Sequence, residues 1–184
     1  MFRLTVRPGV ELSLPEERLA PALFALIDQE REVLRRWLPW VEGTREEGDT
    51  LAYIRGALEQ FASNSGFVAI IWCGERIAGT IGTHQINWLH RKVELGYWLA
   101  REFQGCGIVT DCCRVIVKYL FTELDLNRVE ILCAVGNNKS VAIPKRLGFT
   151  YEGRLREAEL VNGKFMDLEV YAMLRGEFRR RAKE

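Results

Sequence analysis

The chain has 184 residues, of which 48% are hydrophobic and 28% are charged, proportions that are ordinary for a soluble globular protein. Its 26 lysines and arginines stand against 25 aspartates and glutamates, so the chain lacks the basic excess that would indicate a nucleic-acid binder. Residues 1–10 contain no signal-peptide core and no segment approaches the roughly 18 apolar residues of a membrane span, so we expect a single cytoplasmic domain over residues 1–184.

The N-terminal half is predicted to begin with two short strands and to continue with two helices. The strands alternate apolar and polar residues, whereas the helices repeat an apolar residue every three or four positions. A proline at position 15 is well suited to start the first helix. The predicted elements are strands over 2–6 and 11–14, a helix from Pro15 to about Leu38, and a helix from Asp49 to Ala62 capped by Asp49 or Thr50.

Strands predominate from Gly66 onward. Asn162-Gly163, between two strand-like runs, is the strongest hairpin signal in the chain. The predicted elements are strands over 67–72, 76–84, 93–99, 129–135, 150–160 and 165–173, with helices from about Thr110 to Glu123 and from Asn138 to Leu147. The basic residues from 175 to 184 are expected to form a solvated, partly frayed helix.

The five cysteines are predicted to be reduced thiols. Their number is odd, and they show neither a C-x-x-C motif nor the histidine spacing of a zinc site, which argues against a disulfide framework and against a metal. They are Cys73, Cys106, Cys112, Cys113 and Cys133.

A glycine-rich segment lies between the strand over 93–99 and the helix that follows it. The segment reads Gln104-Gly105-Cys106-Gly107-Ile108-Val109-Thr110. The first turn of a helix carries four unpaired N–H groups and the positive end of the helix dipole, so a glycine-rich entry lets a diphosphate approach the backbone. The spacing matches neither the dinucleotide fingerprint nor the P-loop. The sequence therefore predicts a phosphorylated cofactor of another kind at this segment.

The strand before this segment reads Glu94-Leu-Gly-Tyr-Trp-Leu99 and contains a glycine, Gly96. A glycine inside a β-forming run indicates a bulge or a ligand that lies close to the backbone. We therefore expect this strand to offer unpaired backbone groups to an extended ligand arm.

Together these segments resemble the Gcn5-related N-acetyltransferase (GNAT) superfamily, whose acetyl-CoA loop reads Gln/Arg-x-x-Gly-x-Gly/Ala. The matching positions are Gln104, Gly107 and Val109, where valine replaces the last small residue. Two further segments are similar to the ribosomal-protein N-terminal serine/alanine acetyltransferases, the RimL/RimJ group: Asn137-Asn-Lys-Ser140 and Lys145-Arg-Leu-Gly-Phe149. Two others resemble the YdaF type of that group most: Leu126-Asn-Arg-Val129 and Val161-Asn-Gly163.

The resemblance covers nearly the whole chain and implies both a fold and an activity. The implied fold is α/β (α+β), with a single mixed, mostly antiparallel sheet of six to seven strands, helices on both faces and a splayed central strand pair. The implied activity is direct transfer of an acetyl group from acetyl-CoA, as co-substrate, to a primary amine, without a metal. A homodimer is implied by the resemblance alone.

Two residues are candidates for the base that deprotonates the amine. Glu94 lies on the strand beside the expected cofactor cleft, where partial burial would raise its pKa toward a useful range. His84, near the end of the preceding strand, belongs to the residue type that most readily exchanges a proton near neutral pH. Both remain open, and Glu94 could instead pair with Arg91 or Lys92.

The acid candidate is Ser140. Many members of the superfamily carry a tyrosine in the segment Asn-x-x-Ala-x-x-x-Tyr; counted from Asn137, that position holds Pro144 and the alanine position holds Ser140. In the ribosomal-protein group, a serine here is implied to protonate or hydrogen-bond the CoA sulfur. The alternative is that Asn138 or Ser140 caps the helix. Pro144 also lacks the N–H that would bond to the Ser140 carbonyl, which we expect to loosen this turn for a ligand.

The expected cofactor contacts follow from the loop and the resemblance together. The backbone of residues 97–99 is implied to pair with the pantetheine amides, and the N–H groups of the loop to hold the diphosphate. Cys106, between the two glycines beside the helix N-terminus, is expected to be able to form a mixed disulfide with CoA. The predicted cofactor-binding residues are Tyr97, Trp98, Leu99, Gln104, Gly105, Cys106, Gly107, Ile108, Val109, Thr110, Asn137 and Lys145, with Lys139 and Arg146 also near the nucleotide end.

Three functions remain open, and the first two differ in the acceptor of the acetyl group. The first is acetylation of a protein N-terminus, with Trp37, Trp40 and Trp88 as candidate walls of its site. The second is acetylation of a small amine such as a polyamine or aminoglycoside, which would favour an acidic cleft near Trp40. Acidic residues there are Glu42, Glu46, Glu47 and Asp49. The third is an acetyl-CoA-binding module without catalysis, which would need neither Glu94 nor Ser140.

Overall fold

The computed structural model describes residues 3–181, which form eight strands and five α-helices. The strands are β1 Leu4–Arg7, β2 Val10–Ser13, β3 Val68–Cys73, β4 Arg76–Thr83, β5 Lys92–Leu99, β6 Arg128–Ala134, β7 Thr150–Val161 and β8 Lys164–Leu174. The helices are α1 Ala20–Leu34, α2 Glu47–Ala62, α3 Ile108–Thr122, α4 Asn138–Leu147 and α5 Arg175–Arg181. Residue 2 of the first predicted strand and residues 182–184 of the predicted C-terminal helix lie outside the described residues.

The strands form one sheet in the order β1-β2-β3-β4-β5-β6-β8-β7. Neighbouring strands are antiparallel except β5 and β6, which run parallel. The predicted class, a mixed and mostly antiparallel sheet, is confirmed. The sheet has eight strands rather than the six to seven expected, because both strands of the N-terminal hairpin join its edge.

Helices cover both faces of the sheet, and strand alternation divides the core between them. Ile70, Trp72 and Trp98 pack with the apolar residues of α1 and α2. Ile71 and Leu95 point to the other face and pack with α3 and α4. Adjacent residues such as Ile70 and Ile71 thus belong to different cores, as the two-residue period of a strand requires. None of the helices within residues 3–181 is long and apolar enough to cross a membrane.

The limits of the first two helices differ from the prediction. Helix α1 is preceded by a 3-10 turn over Glu17–Leu19, and the chain is extended at Leu38, where the following Pro39 disfavours helical geometry. Helix α2 is capped by Glu46, so the prediction of Asp49 or Thr50 as cap was wrong. Asp49 instead completes a capping box, since its carboxylate accepts a hydrogen bond from the Glu46 backbone N–H at 3.1 Å.

The parallel strands β5 and β6 separate soon after they meet. They pair only at Lys92↔Arg128, Val93↔Val129 and Glu94↔Glu130. On its other side, β5 stays paired with β4 as far as Leu99. A gap therefore opens between residues 95–99 of β5 and residues 131–134 of β6, and the expected splayed central pair is confirmed. We call this opening the β5–β6 gap.

Gly96 does not mark a bulge in β5. It lies opposite Gly82 in an unbroken antiparallel register, and the irregularity falls instead between Ile71 and Trp72 of β3. A Cβ at Gly96 would stand 3.5 Å from Nε2 of His84. The glycine therefore leaves room for the imidazole above the strand.

Candidate active site

Strand β5 turns backbone groups toward the β5–β6 gap. The Glu94 carbonyl accepts a hydrogen bond from the His84 N–H at 2.9 Å, and the Ala100 N–H donates to the Ala78 carbonyl at 2.8 Å, so these residues direct their backbone groups to β4. By alternation, Tyr97 and Leu99 direct theirs toward the gap, where pairing with β6 has ended. An extended ligand that carries amides can add to this edge as a strand would.

The glycine-rich loop opens directly into helix α3. Gly105 and Gly107 have φ values of +84° and +76°, a left-handed geometry that favours glycine, and Gly107 is the N-cap of α3. The helix begins at Ile108, two residues before the predicted start. The N–H groups of Ile108, Val109 and Thr110 therefore belong to the first helical turn, the arrangement that binds a phosphate.

Side chains fix this loop to three parts of the fold. The Gln104 amide donates to the Leu99 carbonyl at 2.8 Å and accepts from the Lys139 ammonium at 2.8 Å, which joins the end of β5 to α4. From β1, the Arg7 guanidinium binds Asp111 at 2.8 Å and donates to the Cys106 carbonyl at 2.9 Å. The sequence motifs gave no sign of the Arg7 contacts, because they link residues about a hundred positions apart.

The basic residues expected at the nucleotide end are placed differently from one another. Lys139 reaches the loop through Gln104, and Arg146 donates to the Thr110 hydroxyl at 3.4 Å. Lys145, the residue chosen from the sequence, lies with its ammonium 6.0 Å from the centre of the Tyr171 ring. Arg146 is therefore better placed toward the loop than Lys145.

The two base candidates form one pair. Nε2 of His84 lies 3.5 Å from a carboxylate oxygen of Glu94, whose side chain is about one-third exposed whereas that of His84 is two-thirds exposed. Burial raises the pKa of Glu94, His84 lowers it and Glu130 raises it further. Arg91 binds Asp125 instead, so the alternative pairing of Glu94 with Arg91 does not occur.

A second carboxylate from a distant strand approaches this pair. Burial raises the pKa of Glu159 in β7, and the neighbouring Glu94 charge raises it further, while His84 lowers it. Sequence reasoning missed Glu159, because β7 is the edge strand beyond β6 and β8 and no local pattern predicts that one of its residues lies within electrostatic range of Glu94.

Ser140 lies in the first turn of α4 with its hydroxyl free for other contacts. The Asn137 side chain accepts the Ser140 N–H at 3.2 Å, so Asn137 caps this helix rather than Asn138 or Ser140. The Ser140 hydroxyl donates to the Tyr97 hydroxyl at 3.4 Å and lies 3.3 Å from the thiol of Cys133. The sequence predicted a backbone contact for Tyr97 and a reduced thiol at Cys133, but gave no sign that their side chains meet Ser140.

The base pair and the hydroxyl pair lie on opposite faces of the sheet. Glu94 shares a face of β5 with Trp98, which packs with α1 and α2. Tyr97 points to the other face and packs against the core of α3 and α4. The β5–β6 gap is the opening between the two faces, so groups that enter from opposite sides can meet there.

Aromatic residues and a hairpin tip surround the Glu94 face. The Trp40 ring lies 6.3 Å from the Trp98 ring, and the Asn162 amide at the tip of β7–β8 donates to the Arg35 carbonyl at the end of α1, at 2.6 Å. Trp37 lies beside Gly136, 3.9 Å from where a Cβ would stand. Trp88 instead donates its indole N–H to the Asn64 carbonyl at 2.8 Å, so it ties two loops together.

Most of the acidic residues near Trp40 are engaged in local structure. Glu42 pairs with Arg35 at 2.8 Å, and Glu46 and Asp49 form the capping box of α2. These carboxylates do not form the free acidic cleft that a small polycationic amine would favour.

Comparison with known proteins gives consistent similarities. Residues 10–150 match the family model described as an acetyltransferase (GNAT) domain. The chain is 39% identical over 180 residues to the "Putative ribosomal N-acetyltransferase YdaF" of Bacillus subtilis (strain 168), covering 97% of this chain and 98% of that protein. It is 28% identical over 171 residues to the ribosomal-protein-serine acetyltransferase of Escherichia coli (strain K12), covering 93% and 96%.

A solved structure is similar over nearly its whole length. It is RimL, the ribosomal L7/L12 α-N-protein acetyltransferase, in complex with coenzyme A and a CoA–cysteine disulfide. The TM-score is 0.90 at 27% identity, with 94% of this chain and 98% of that chain covered.

Proposed function

Because the chain belongs to the GNAT acetyltransferase family and is an N-acetyltransferase, we propose that it transfers the acetyl group of acetyl-CoA to the N-terminal α-amine of a ribosomal protein. The observation that carries the proposal is the β5–β6 gap, with a carboxylate–imidazole pair on one face and a hydroxyl pair on the other. Relatives named for acetylation of ribosomal proteins support the acceptor class.

The residues at the gap fit acetyl-CoA, whose thioester supplies the activated acetyl group. The backbone groups of Tyr97 and the N–H of Leu99 suit the amides of the pantetheine arm, whereas the Leu99 carbonyl already accepts a hydrogen bond from Gln104. The first-turn N–H groups of α3 suit the diphosphate, and Arg146 and Lys139 add positive charge nearby. The pantetheine arm and the diphosphate thus each have a partner of matching chemistry.

On the amine side, the His84–Glu94 pair takes the proton. An N-terminal α-amine has an ordinary pKa of about 7.7–8.0, against about 10.4 for lysine, so deprotonating it needs only a modest base at neutral pH. The pair supplies such a base, because burial raises the pKa of Glu94 and the imidazole is within reach of its carboxylate. Either member can receive the proton directly or through water.

On the thioester side, Ser140 holds the sulfur. As the carbon–sulfur bond breaks, its electron pair becomes a thiolate, and a hydroxyl that donates to this sulfur stabilises the charge. Asn137 caps α4 through the Ser140 N–H, which leaves the serine hydroxyl available for this contact.

The acceptor side favours a chain end over a lysine on a folded surface. The Asn162–Arg35 contact joins the β7–β8 hairpin to α1 and so encloses the Glu94 face on one side. A flexible peptide terminus can pass beneath such a closure and lie against Trp40 and Trp98, whereas a folded surface is too broad. Small amines also satisfy this size limit, and Glu94 with Glu159 would attract a polyamine, whereas Glu130 is already paired with Arg128.

A panel of acceptors tests the function. The purified full chain is given acetyl-CoA with peptides that begin with serine or alanine, with the same peptides blocked at the N-terminus but containing lysine, and with a polyamine. We expect release of CoA thiol and a one-acetyl mass increase only with the unblocked peptides. Turnover with the polyamine alone would replace the proposal with small-amine acetylation, and no thiol release with any amine would leave only binding.

Mass spectrometry of cell proteins, with and without the chain, would then name the acceptor. A ribosomal protein should lose its N-terminal acetyl group when the chain is absent. An unchanged set of acetylated N-termini would argue against a protein acceptor.

The sulfur of CoA is expected to lie beside Cys133 rather than Cys106. The Cys133 thiol is 3.3 Å from the Ser140 hydroxyl, whereas Cys106 is exposed in the loop. Given CoA disulfide, the Cys133 thiolate should attack one sulfur, form a mixed disulfide and release the other CoA as a thiol. Burial raises the pKa of Cys133, so the reaction should accelerate at alkaline pH. The RimL complex with a CoA–cysteine disulfide supports this expectation.

Peptide mapping of the adduct decides between the two cysteines. The Cys106→Ala protein should still acquire CoA on Cys133, and the Cys133→Ala protein should lose that adduct. An adduct found on Cys106 alone would place the sulfur at the loop and contradict the role of Ser140.

A further inference from the structure

The proline inside α4 is paired with a tyrosine on β5. In a regular helix the N–H at position 144 would bond to the Ser140 carbonyl, but Pro144 has no N–H. The Tyr97 hydroxyl donates to this carbonyl instead, at 3.2 Å. The turn is therefore not loosened for a ligand, as the sequence suggested, because a side chain from the sheet takes the place of the missing backbone donor.

This contact fixes which hydroxyl group donates and which accepts at the β5–β6 gap. A phenol has one proton, so while Tyr97 donates to the carbonyl its oxygen is left to accept the Ser140 hydroxyl, at 3.4 Å. The two hydroxyls come from elements that flank the β5–β6 gap, α4 and β5. A sulfur within hydrogen-bonding reach of Ser140 therefore lies close to Tyr97.

We infer that the Tyr97 hydroxyl is a second hydrogen-bond donor to the departing CoA thiolate, beside Ser140; this inference rests on the proposed function. A thiolate carries a full charge and is a stronger acceptor than the Ser140 carbonyl, so the phenol proton turns from the carbonyl to the sulfur as charge develops. The carbon–sulfur electron pair passes to sulfur, the amine lone pair forms the new carbon–nitrogen bond, and both O–H bonds stay intact. The thiolate takes its proton from water on release.

The environment keeps the tyrosine in its donor form. Burial raises the pKa of Tyr97 well above its ordinary value, and the nearby Cys113 and Cys133 raise it further. The phenol therefore stays protonated throughout the neutral range.

The test compares Tyr97→Phe with Tyr151→Phe, which removes a phenol from an exposed position of β7. We expect Tyr97→Phe to lower kcat by about ten- to a hundredfold, because a donor to a charged group is lost, while KM for acetyl-CoA and calorimetric CoA affinity change by less than about threefold. Tyr151→Phe should keep wild-type kcat. An unchanged kcat for Tyr97→Phe, or a rise in KM alone, would overturn the inference.

A second variant separates donation from packing. Replacing Tyr97 with a heavily ring-fluorinated tyrosine nearly keeps its shape but strongly lowers the phenol pKa, so activity should be lost at an alkaline pH at which the wild type is still active. If Tyr97→Phe unfolds, this variant still decides: an unmoved alkaline limit means a structural role only. If the wild type shows no amine-dependent thiol release, the proposed function itself fails. If the wild type turns over normally and the Tyr97 variants keep its kcat and pH profile, only the inference about Tyr97 is rejected.

Discussion

Glu94→Gln should lower kcat by about a hundredfold or more, the range expected when a positioned base is removed. Glutamine keeps the size of the side chain and its place beside His84, but it cannot accept the amine proton. Because the proposed acetyl-CoA contacts, the backbone edge of β5 and the first turn of α3, do not include the Glu94 side chain, the KM for acetyl-CoA should change little. The measurement is steady-state release of CoA thiol with an N-terminal serine peptide as acceptor.

The pH dependence gives this prediction its sign. The base must be unprotonated to accept the amine proton, so kcat falls as the pH falls through the pKa of the base. Because burial raises the pKa of Glu94, the kcat of the wild type should begin to fall at a pH above the ordinary glutamate range. Glu94→Gln should alter this acid limb, whereas Glu75→Gln, at a position whose side chain is 95% exposed, should leave both kcat and the limb unchanged.

The double variant Glu94→Gln with His84→Gln tests whether the pair acts as a unit. If it does, the second change should add much less than it does alone. Full activity in Glu94→Gln, with loss only in His84→Gln, would assign the proton to the imidazole by itself.

Gly79→Ala should destabilise the protein by about 3 kcal/mol or more, near the upper end for overpacking, and lower Tm by roughly 6–12 °C. A Cβ at this position would stand 2.2 Å from the Trp98 carbonyl oxygen and 2.9 Å from the Leu99 Cα. Both are backbone atoms of β5, so the clash cannot be relieved by a side chain turning away. Strand β4 must therefore move away from β5, the strand that borders the β5–β6 gap.

The matched control is Gly56→Ala in α2, where a Cβ would have no neighbour within 4 Å. Alanine favours a helix over glycine by about 1 kcal/mol, so this variant should be as stable as the wild type or more so. Thermal unfolding of the two variants side by side is the measurement. Equal Tm values would mean that β4 and β5 are not held as closely as the distances indicate.

Local patterns predicted the elements of this chain well where one physical signal dominates. Asn162 and Gly163 have φ values of +50° and +75°, as the hairpin signal required, and α4 spans the residues expected. The cap of α2 was missed because Glu46 is not among the usual capping residues, and only its reciprocal bond with Asp49 identifies it.

The arrangement of the candidate site could be predicted only in part. The glycines of the loop could be read from the sequence, as could Glu94 and His84 as alternative bases, but not the pairing of these two side chains. The role of the Tyr97 hydroxyl was not, because it depends on how far β5 stands from α4. Pro144 offered the one available clue: a helix that lacks a backbone donor must find another, and the sequence could not say which side chain supplies it.

Strands β5 and β6 share only three paired positions, so the hydrogen-bond ladder of the sheet has a seam in its middle. A ligand whose amides occupy this seam would supply backbone hydrogen bonds that the two strands do not make with each other. The hydrogen-bond ladder would then run unbroken across the sheet only while the ligand is bound. Each release of product would interrupt it again between β5 and β6.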